Sequence, residues 1–357
     1  MNIWGEKFKV SIFGESHGKG IGVIIDGIPS GIELDTDEIE REMARRAPGK
    51  NLLSTQRKEA DKVEILSGFF NGKTTGTPLA GVIYNSDMKS KDYTPELIRP
   101  GHADFTGFEK YGDSHDYRGG GHFSGRITAP LVFAGAIAKQ VLKSYGITVG
   151  AHILKIGDAK DKAFDAVNLS SEVLEEVSAK EFPVWDDAIG KKMQKNILEK
   201  REEADSIGGI IECGITGLKS GIGSPFFGSM ESRISSMMFS IPAVKGIEFG
   251  AGYGFTDMCG SVANDEFYIE NGEIKTRTNN NGGINGGISN GMPVIFNVAV
   301  KPTPSIGKKQ RTVNTNTMEN CELEIKGRHD PCIVHRAVCV AEAGTAIAIL
   351  DMVLNNL

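Results

Sequence analysis

Three segments in the first half of this chain recur in the same order in the second half. Residues 22–32 are echoed by 209–215 with 220–222, residues 63–69 by 247–253, and the alanine-rich 126–142 by 336–354. Each half shows strand patterns, a helix, more strands and a closing helix. The echoes predict an internal pseudo-repeat within a single domain, 1–357. Its halves, approximately 1–150 and 206–357, share one core and are joined by a charged segment at 155–205.

Composition narrows the class of protein. The 357 residues carry 46 acidic and 40 basic side chains, a formal net charge of -6, which argues against a general nucleic-acid or anionic-membrane binder. The 45 glycines are spread over many short turns, so we expect loops lined by backbone atoms. The sequence shows neither a signal-peptide core nor an uncharged apolar run of membrane length, and we expect a cytoplasmic protein. Five cysteines without a C-x-x-C pair favour a reduced protein with no metal site.

The helix patterns indicate packing roles. Ile189, Met193 and Ile197 recur at helical spacing in the charged segment and predict one amphipathic helix. The two closing helices carry small residues on their apolar faces. Small residues let helix backbones approach closely, so we expect these helices to form a buried layer.

The most suggestive sequence for chemistry follows the apolar run 10–13. It is the turn Gly14-Glu15-Ser16-His17-Gly18-Lys19, which separates two strand patterns. Glycine allows a ligand to approach the backbone closely, and histidine is the side chain best suited to proton transfer near neutral pH. We interpret this turn as a candidate acid–base site.

Four further loops combine cations with turn residues. They are Arg99-Pro100-Gly101-His102-Ala103-Asp104, the glycine loop 119–126, Lys301-Pro302-Thr303-Pro304-Ser305, and Arg328-His329-Asp330-Pro331-Cys332. The free N–H groups where the glycine loop opens a helix favour an anion such as phosphate. A P-loop, an H-E-x-x-H motif and a G-x-G-x-x-G motif after the first strand are absent from the sequence. The loops together suit a polyanionic substrate and a planar or phosphorylated cofactor, and so a phosphate-handling enzyme with histidine acid–base groups.

These loops resemble the signatures of the chorismate synthase family. The segments 14–18, 99–104, 119–126 and 327–331 occur in that family's order and spacing, and segments 74–78, 205–209 and 243–246 extend the match along nearly the whole chain. The resemblance implies an α+β fold, a layered β-α-α-β sandwich with an internal pseudo-repeat. This fold agrees with the echoes, and the resemblance further implies a homotetramer.

The resemblance implies a lyase that catalyses the last step of the shikimate pathway, on the route to the aromatic amino acids. In this reaction 5-enolpyruvylshikimate 3-phosphate loses phosphate and a ring hydrogen by 1,4-anti elimination and becomes chorismate. Reduced FMN is required although there is no net redox change. In the family's favoured mechanism the reduced flavin lends electron density while the C–O bond breaks, and its N5 takes the ring hydrogen. The protein holds the two ligands stacked, excludes water and places protons.

The resemblance also assigns roles by position. His17 is expected to protonate the departing phosphate, because a dianionic phosphate leaves poorly without a proton. His102 is expected near flavin N1, and Asp330 with Ser16 near N5. The arginines expected around the substrate phosphate and carboxylates or the flavin are Arg46, Arg99, Arg126 and Arg328. The positions expected along the flavin are His122, Phe123, Ser124, Gly286, Lys301, Pro302, Thr303, Pro304, Ser305 and again Arg328.

Two positions depart from the family pattern. His122-Phe123-Ser124 stands where many relatives have Arg-Ser-Ser, a variation that we expect flavin binding to tolerate. Leu52 stands where some relatives carry an arginine linked to NADP binding. This residue, and the lack of the long insertion of bifunctional members, argue against intrinsic NADPH-dependent flavin reduction. We therefore predict a monofunctional enzyme.

Two alternatives stay open at this point. A flavin oxidoreductase that reduces FMN with NADPH would consume NADPH stoichiometrically without substrate. A non-catalytic protein that binds a phosphate ligand on the same fold would have no need of paired acid groups. The combination of His17, His102 and Asp330 argues against the second alternative.

Overall fold

The chain folds into α-helices and antiparallel sheets. The structure is a computed structural model that describes residues 2–47, 53, 61–85, 94–325 and 330–357. The α-helices of these residues are α1 (Thr36–Arg46), α2 (Asp104–Tyr111), α3 (Thr128–Ser144), α4 (Ser171–Ser178), α5 (Asp187–Glu202), α6 (Met230–Ser240), α7 (Gly260–Ala263) and α8 (Val334–Asn355). The strands are β1 (Ile3–Trp4), β2 (Lys9–Gly14), β3 (Gly20–Asp26), β4 (Glu64–Ser67), β5 (Phe69–Phe70), β6 (Lys73–Thr74), β7 (Leu79–Tyr84), β8 (Thr148–Ile156), β9 (Ala159–Lys160), β10 (Gly209–Thr216), β11 (Val244–Phe249), β12 (Phe267–Glu270), β13 (Glu273–Thr276), β14 (Ile284–Asn285), β15 (Ile288–Ser289), β16 (Val294–Val300), β17 (Gln310–Asn314) and β18 (Glu319–Leu323).

Two five-stranded antiparallel sheets form the outer layers. The first sheet has the strand order β1-β2-β3-β7-β4, and the second has the order β11-β16-β10-β8-β9. Helix α3 packs on β3 and β7, α8 packs on β8 and β10, and the two helices pack against each other. Helix α1 joins α3, and α6 joins α8, in the inner layers. The architecture is a β-α-α-β sandwich, which confirms the predicted α+β fold.

The two sheets repeat one topology. The order β2-β3-β7-β4 in the first sheet corresponds to β8-β10-β16-β11 in the second, and α1 and α3 correspond to α6 and α8. The three sequence echoes fall on β3 and β10, on β4 and β11, and on α3 and α8. The second sheet also contains β8 and β9 from the region between the echoes, and the division near 150 and 206 stays a prediction.

Helix α8 lies at the centre of the core. It is long and apolar enough to span a membrane, but 89% of its most apolar stretch is buried inside the protein. A Cβ at Gly135 of α3 would lie only 2.2 Å from the Cβ of Ala343 in α8. The close approach of these two helices therefore depends on their small residues, as the alanine-rich patterns indicated.

Helix α1 delivers two arginines to the interior. It begins after Asp35, whose side chain accepts the Glu38 N–H at 3.0 Å and caps the helix. Its apolar face is buried against the core, so the last turn points inward. Arg45 and Arg46 end the helix, where a positive charge is favoured by the helix dipole.

The charged segment forms α4 and α5 on the second sheet. The predicted amphipathic helix is α5, and its Met193 and Ile197 are fully buried. Below this segment the His152 Nε2 atom lies 2.8 Å from a Glu212 carboxylate oxygen. Burial lowers the pKa of His152, but the nearby carboxylates of Asp161 and Glu212 outweigh that effect and raise it. His152 therefore ties this segment to the sheet and has a structural role.

Candidate active site

The turn between β2 and β3 carries Ser16 and His17 into the interior. Ser16 is 0% exposed and His17 is 5% exposed. Asn85, directly after β7, holds the turn by donating its side-chain amide to the carbonyls of Glu15 (3.1 Å) and Gly18 (2.9 Å). The predicted acid–base turn is thus fixed, and its Ser16 and His17 are buried, whereas Glu15 and Lys19 are exposed.

The glycine loop at 119–121 contacts both predicted histidines. Its three glycines have φ values of +61°, +83° and +53°, a region that disfavours other residues. A Cβ at Gly119 would lie 2.1 Å from the ring of His17, and a Cβ at Gly120 would lie 3.3 Å from the ring of His102. The absence of side chains lets this loop bring the two imidazoles to one place.

Asp104 holds His102 and Arg99 in one ion cluster. Its Oδ1 lies 2.7 Å from His102 Nδ1 and 2.7 Å from Arg99 Nη2, and its Oδ2 accepts Arg99 Nε at 2.7 Å. Burial would raise the pKa of Asp104, but the hydrogen bonds from Arg99 and His102 hold it well below its usual range. Since Nδ1 of His102 is engaged by this carboxylate, its Nε2 edge lies toward Gly120. Arg99, predicted to bind ligand anions, binds Asp104 in this structure.

A buried carboxylate lies between two more of the predicted arginines. Asp61 accepts hydrogen bonds from Arg46, including one from Nε at 2.9 Å, and pairs with Nη1 of Arg126. The three side chains are at most 3% exposed. Buried charges are stable when they are paired and hydrogen-bonded. In the part of the chain that the structure describes, one carboxylate lies between two guanidinium groups, so these three side chains together carry a net positive charge.

This cluster is connected on both sides. Arg126 Nε donates to Asn85 Oδ1 at 3.1 Å, and Asn85 holds the acid–base turn. On the other side Arg336 Nε donates to the backbone carbonyl of Arg46 at 3.0 Å, and its Nη1 lies 3.1 Å from Asp330 Oδ2. A continuous chain of contacts therefore runs from the turn between β2 and β3 to Asp330.

The segment that follows β16 packs on the turn that precedes α2. Lys301 Nζ donates to the Gly101 carbonyl at 2.5 Å, and a Cβ at Gly101 would contact Pro304 at 3.5 Å. The Thr303 carbonyl accepts a hydrogen bond from Ser206 Oγ at 2.7 Å. The structure thus brings the predicted cofactor segment to the loop that carries the second histidine.

The residues that follow the three glycines hold the glycine loop in place. His122 Nδ1 lies 2.8 Å from the carbonyl of Gly14, so this ring nitrogen donates to the end of β2. Phe123 packs edge-on against His115, with 5.5 Å between ring centroids. Ser124 Oγ caps the next helical turn by accepting the N–H two residues later at 3.3 Å. All three predicted cofactor residues adjoin the site and are partly exposed.

One predicted ligand position, Gly286, is not placed at these loops. Gly286 lies in the hairpin between β14 and β15, and the carbonyl of the next residue accepts the Met230 N–H at the start of α6. No hydrogen bond of this hairpin among the described residues reaches the histidine loops. Arg328 and Leu52 lie outside the described residues.

Sequence motifs do not mark Asp61, Asn85 or Arg336 as site residues. Asp61 is 15 residues from Arg46 and 65 residues from Arg126, so no local spacing connects the three. Asn85 had a usable signal, because it follows a strand that ends at Tyr84. Tyr84 lies opposite Gly20, directly after the acid–base turn, so the next residue lies beside that turn.

A second, partly buried charge cluster lies next to the first and, among the described residues, is balanced. Arg45 lies 2.9 Å from Glu42 and 2.6 Å from Glu342, and Lys139 pairs with the same two carboxylates. Burial would raise the pKa of Glu342, but the charges of Arg45 and Lys139 lower it to about 2. Arg45, Glu42 and Lys139 line a cavity of about 580 Å³ whose lining includes none of the predicted site residues.

The fold and the site define a class of enzyme. Buried proton-transfer groups lie beside an excess of buried guanidinium charge, which suits the elimination or transfer of an anionic group.

The comparisons identify the family. The sequence model described as chorismate synthase matches residues 8–354. The chain is 48% identical to a chorismate synthase of Dehalococcoides mccartyi over 99% of this chain and 96% of that protein. It is 46% identical to one of Methanobrevibacter smithii over 99% of this chain and 97% of that protein. A crystal structure of chorismate synthase matches with a TM-score of 0.78 and 31% identity, over 99% of this chain and 94% of that one.

The chain belongs to the chorismate synthase family. Members are lyases of the shikimate pathway that form chorismate from a small-molecule substrate with a reduced flavin, and this chain is accordingly an enzyme of that pathway.

The residues present fit a cofactor with hydrogen-bonding edges. Ser16 Oγ and Thr303 Oγ1 are buried and have no hydrogen-bond partner among the described residues. Buried hydroxyl groups are normally hydrogen-bonded, so both are suited to a bound group. They belong to the acid–base turn and to the segment after β16, the two places where the flavin is expected.

Proposed function

We propose that these loops bind reduced FMN and 5-enolpyruvylshikimate 3-phosphate together and that their side chains carry the proton transfers of the 1,4-anti elimination. One observation carries the proposal: Ser16 and His17 are buried beside a net-positive cluster formed by Arg46, Asp61 and Arg126. A departing phosphate needs a proton and positive charge at one place. When bound, the reduced flavin supplies electron density to the breaking bond and takes up the ring hydrogen.

Substrate binding is assigned to four arginines. The substrate carries one phosphate and two carboxylates, and guanidinium groups bind such anions through two parallel hydrogen bonds. Arg46 and Arg126 are supported by the net positive charge of their buried cluster. Arg99 is supported by its place beside His102, and Arg328 by the family pattern.

His17 is the proposed general acid. It donates its proton to an oxygen of the departing phosphate while the C–O bond breaks. Support comes from its fixed position, because Asn85 holds the backbone of the turn and also contacts Arg126. The proton donor and a phosphate-binding cation are thus held by one side chain, which limits the loss of orientation before reaction.

His102 is the proposed partner of the flavin at N1. Its Nδ1 atom lies 2.7 Å from an Asp104 carboxylate oxygen, which fixes the orientation of the ring. The Nε2 edge lies toward Gly120, on the glycine loop. A hydrogen bond donated from this edge would stabilise the negative charge of a reduced flavin ring.

Asp330 and Ser16 are proposed to move a proton near flavin N5. Ser16 has a buried hydroxyl oxygen without a partner among the described residues. Asp330 is held by Arg336, which also contacts the backbone of Arg46. The pair therefore flanks the arginine cluster from the acid–base turn and from the start of α8.

The remaining cofactor contacts and the setting are also proposals. The positions proposed to hold the flavin are His122, Phe123, Ser124, Gly286, Lys301, Pro302, Thr303, Pro304, Ser305 and Arg328. The protein is proposed to be a cytoplasmic homotetramer whose FMN is reduced by an outside source and not by intrinsic NADPH oxidation.

An anaerobic assay tests this function. Purified protein is mixed with 5-enolpyruvylshikimate 3-phosphate and chemically reduced FMN, and chorismate and phosphate are measured. We expect both products with reduced FMN and neither with oxidised FMN. A folded protein that binds FMN but forms no chorismate would contradict the proposal and favour a binding protein. NADPH consumption without substrate would favour the oxidoreductase.

A further inference from the structure

We propose that Asp61 is a positioning residue for the substrate. Its carboxylate holds the guanidinium groups of Arg46 and Arg126 in the relative position that binds the substrate's anionic groups. This inference rests on the proposed function of the two arginines. It adds a residue that the sequence motifs did not mark.

The geometry divides the carboxylate between the two cations. Oδ2 of Asp61 accepts Nε of Arg46 at 2.9 Å and also Nη2, whereas Oδ1 pairs with Nη1 of Arg126. A carboxylate is rigid and planar, and so is a guanidinium group. Two guanidinium groups bonded to opposite oxygens of one carboxylate are therefore fixed in both separation and orientation.

The electrostatics favour the same role. Two buried guanidinium groups repel each other, and a carboxylate between them reduces that repulsion. Among the described residues, these three side chains carry two positive charges and one negative charge. Asp61 thus permits the two cations to stay close together in a buried site.

The backbone at Asp61 is adapted to this arrangement. Its φ is +47°, in the left-handed region that Asp and Asn tolerate better than most residues. Asparagine at this position keeps the shape and the backbone preference, removes the charge, and replaces one acceptor oxygen with an NH2 group that cannot accept from an arginine. Asp61→Asn therefore removes the carboxylate bridge with little change in side-chain volume.

A buried aspartate elsewhere in the fold provides a contrast. Asp351 in α8 is also fully buried, and it pairs with Arg233. It additionally accepts three backbone N–H groups of residues 6–8, at 2.7–2.9 Å, so it ties the start of the chain to the core. The described hydrogen bonds of Asp61 go only to side chains of the two proposed substrate arginines. Asp351→Asn is the matched control for removing a buried, arginine-paired carboxylate.

The test measures substrate binding separately from turnover. Binding of 5-enolpyruvylshikimate 3-phosphate is titrated calorimetrically to protein loaded with oxidised FMN, and KM and kcat are then measured with reduced FMN. We expect Asp61→Asn to weaken binding and raise KM by about 10- to 100-fold. Arginines that are no longer held in position bind the substrate more weakly, and the loss of a positioning partner has effects of this size. We expect FMN affinity to change by no more than about twofold. Asp351→Asn is expected to lower the melting temperature and to leave KM unchanged.

A second variant tests the same inference if Asp61→Asn does not fold. Asp61→Glu keeps the charge that the arginines need, but its extra methylene displaces the carboxylate, so we expect a folded protein whose KM is raised about tenfold. Substrate affinity and KM within twofold of wild type in a folded Asp61 variant would overturn the inference and leave Asp61 structural. Absence of turnover in the wild type would instead contradict the proposed function, which this comparison of variants does not test.

Discussion

Arg45 and Arg46 are adjacent at the end of α1, yet they belong to two different charge clusters. Arg45 and Lys139 share Glu42 and Glu342, so that cluster contains two cations and two carboxylates. Arg46 shares the single carboxylate of Asp61 with a second arginine. Among the described residues, the first cluster pairs two cations with two carboxylates, whereas the second pairs two cations with one carboxylate.

This difference separates a structural role from a functional one. A balanced buried cluster satisfies its own charges, and it serves to lock α1, α3 and α8 together. A buried cluster with excess positive charge becomes more stable when an anion binds. The second arrangement suits a site that must receive a phosphate and two carboxylates. The predictions that follow test whether the two clusters differ in this way.

Replacement of His17 is expected to have the largest effect. His17→Ala removes the proposed general acid beside the net-positive cluster, and general acid catalysis contributes about 10²- to 10⁴-fold. We expect kcat to fall by that factor, while FMN affinity, measured by fluorescence titration, changes little. A large loss of FMN binding with kcat retained would make His17 a structural residue.

Replacement of Glu342 tests the balanced cluster. Glu342→Gln leaves Arg45 and Lys139 with one carboxylate, and breaking a buried pair of this kind costs about 3 kcal/mol of unfolding free energy. We expect a lower midpoint in urea unfolding and an unchanged KM for substrate. A raised KM with full stability would show that this cluster also serves binding.

The same variant has a defined pH dependence. The pKa of Glu342 is lowered from 4.5 to about 2 in the folded protein. A lowered carboxyl pKa stabilises the fold fully above the unfolded value, and this stabilisation is lost as pH falls through the folded value. The difference in unfolding free energy between wild type and Glu342→Gln should therefore shrink between about pH 4.5 and pH 2. A constant difference across this range would contradict the ion-pair account.

Replacement of Asp104 is expected to have the smallest effect of the three. Asp104→Asn keeps the shape but removes the charge that orients His102, so we expect kcat/KM to fall about tenfold. A kcat/KM equal to that of wild type would show that Asp104 does not act through His102.

Much of the fold was accessible from the sequence. The three echoes fall on corresponding strands and helices of the two sheets, and the alanine-rich segments form the buried helices α3 and α8. These features follow from hydrophobic periodicity and small-residue patterns, which are local. The two short hairpins β12–β13 and β17–β18 were not predicted, because exposed two-stranded pairs leave a weak pattern.

The site was accessible only in part. The loops that carry His17, His102 and the glycines could be located, because turn residues and histidines are recognisable locally. Asp61 could not be located as a site residue, because its two arginine partners are distant in sequence and contact it only after α1 and α3 pack. The pairing of Arg99 with Asp104 was likewise not read from the sequence, which gives no side-chain direction within a turn.

The most direct test of the central claim is a comparison of Arg45→Lys with Arg46→Lys. Each variant keeps the positive charge at one of two adjacent positions. Each also removes the guanidinium group, and with it the ability to form two parallel hydrogen bonds with one anion. We predict that Arg46→Lys raises the KM for 5-enolpyruvylshikimate 3-phosphate about tenfold or more. Arg45→Lys should lower the melting temperature and leave KM within about twofold of wild type. Equal KM values for the two variants, or a raised KM for Arg45→Lys alone, would contradict the division into a structural and a functional cluster.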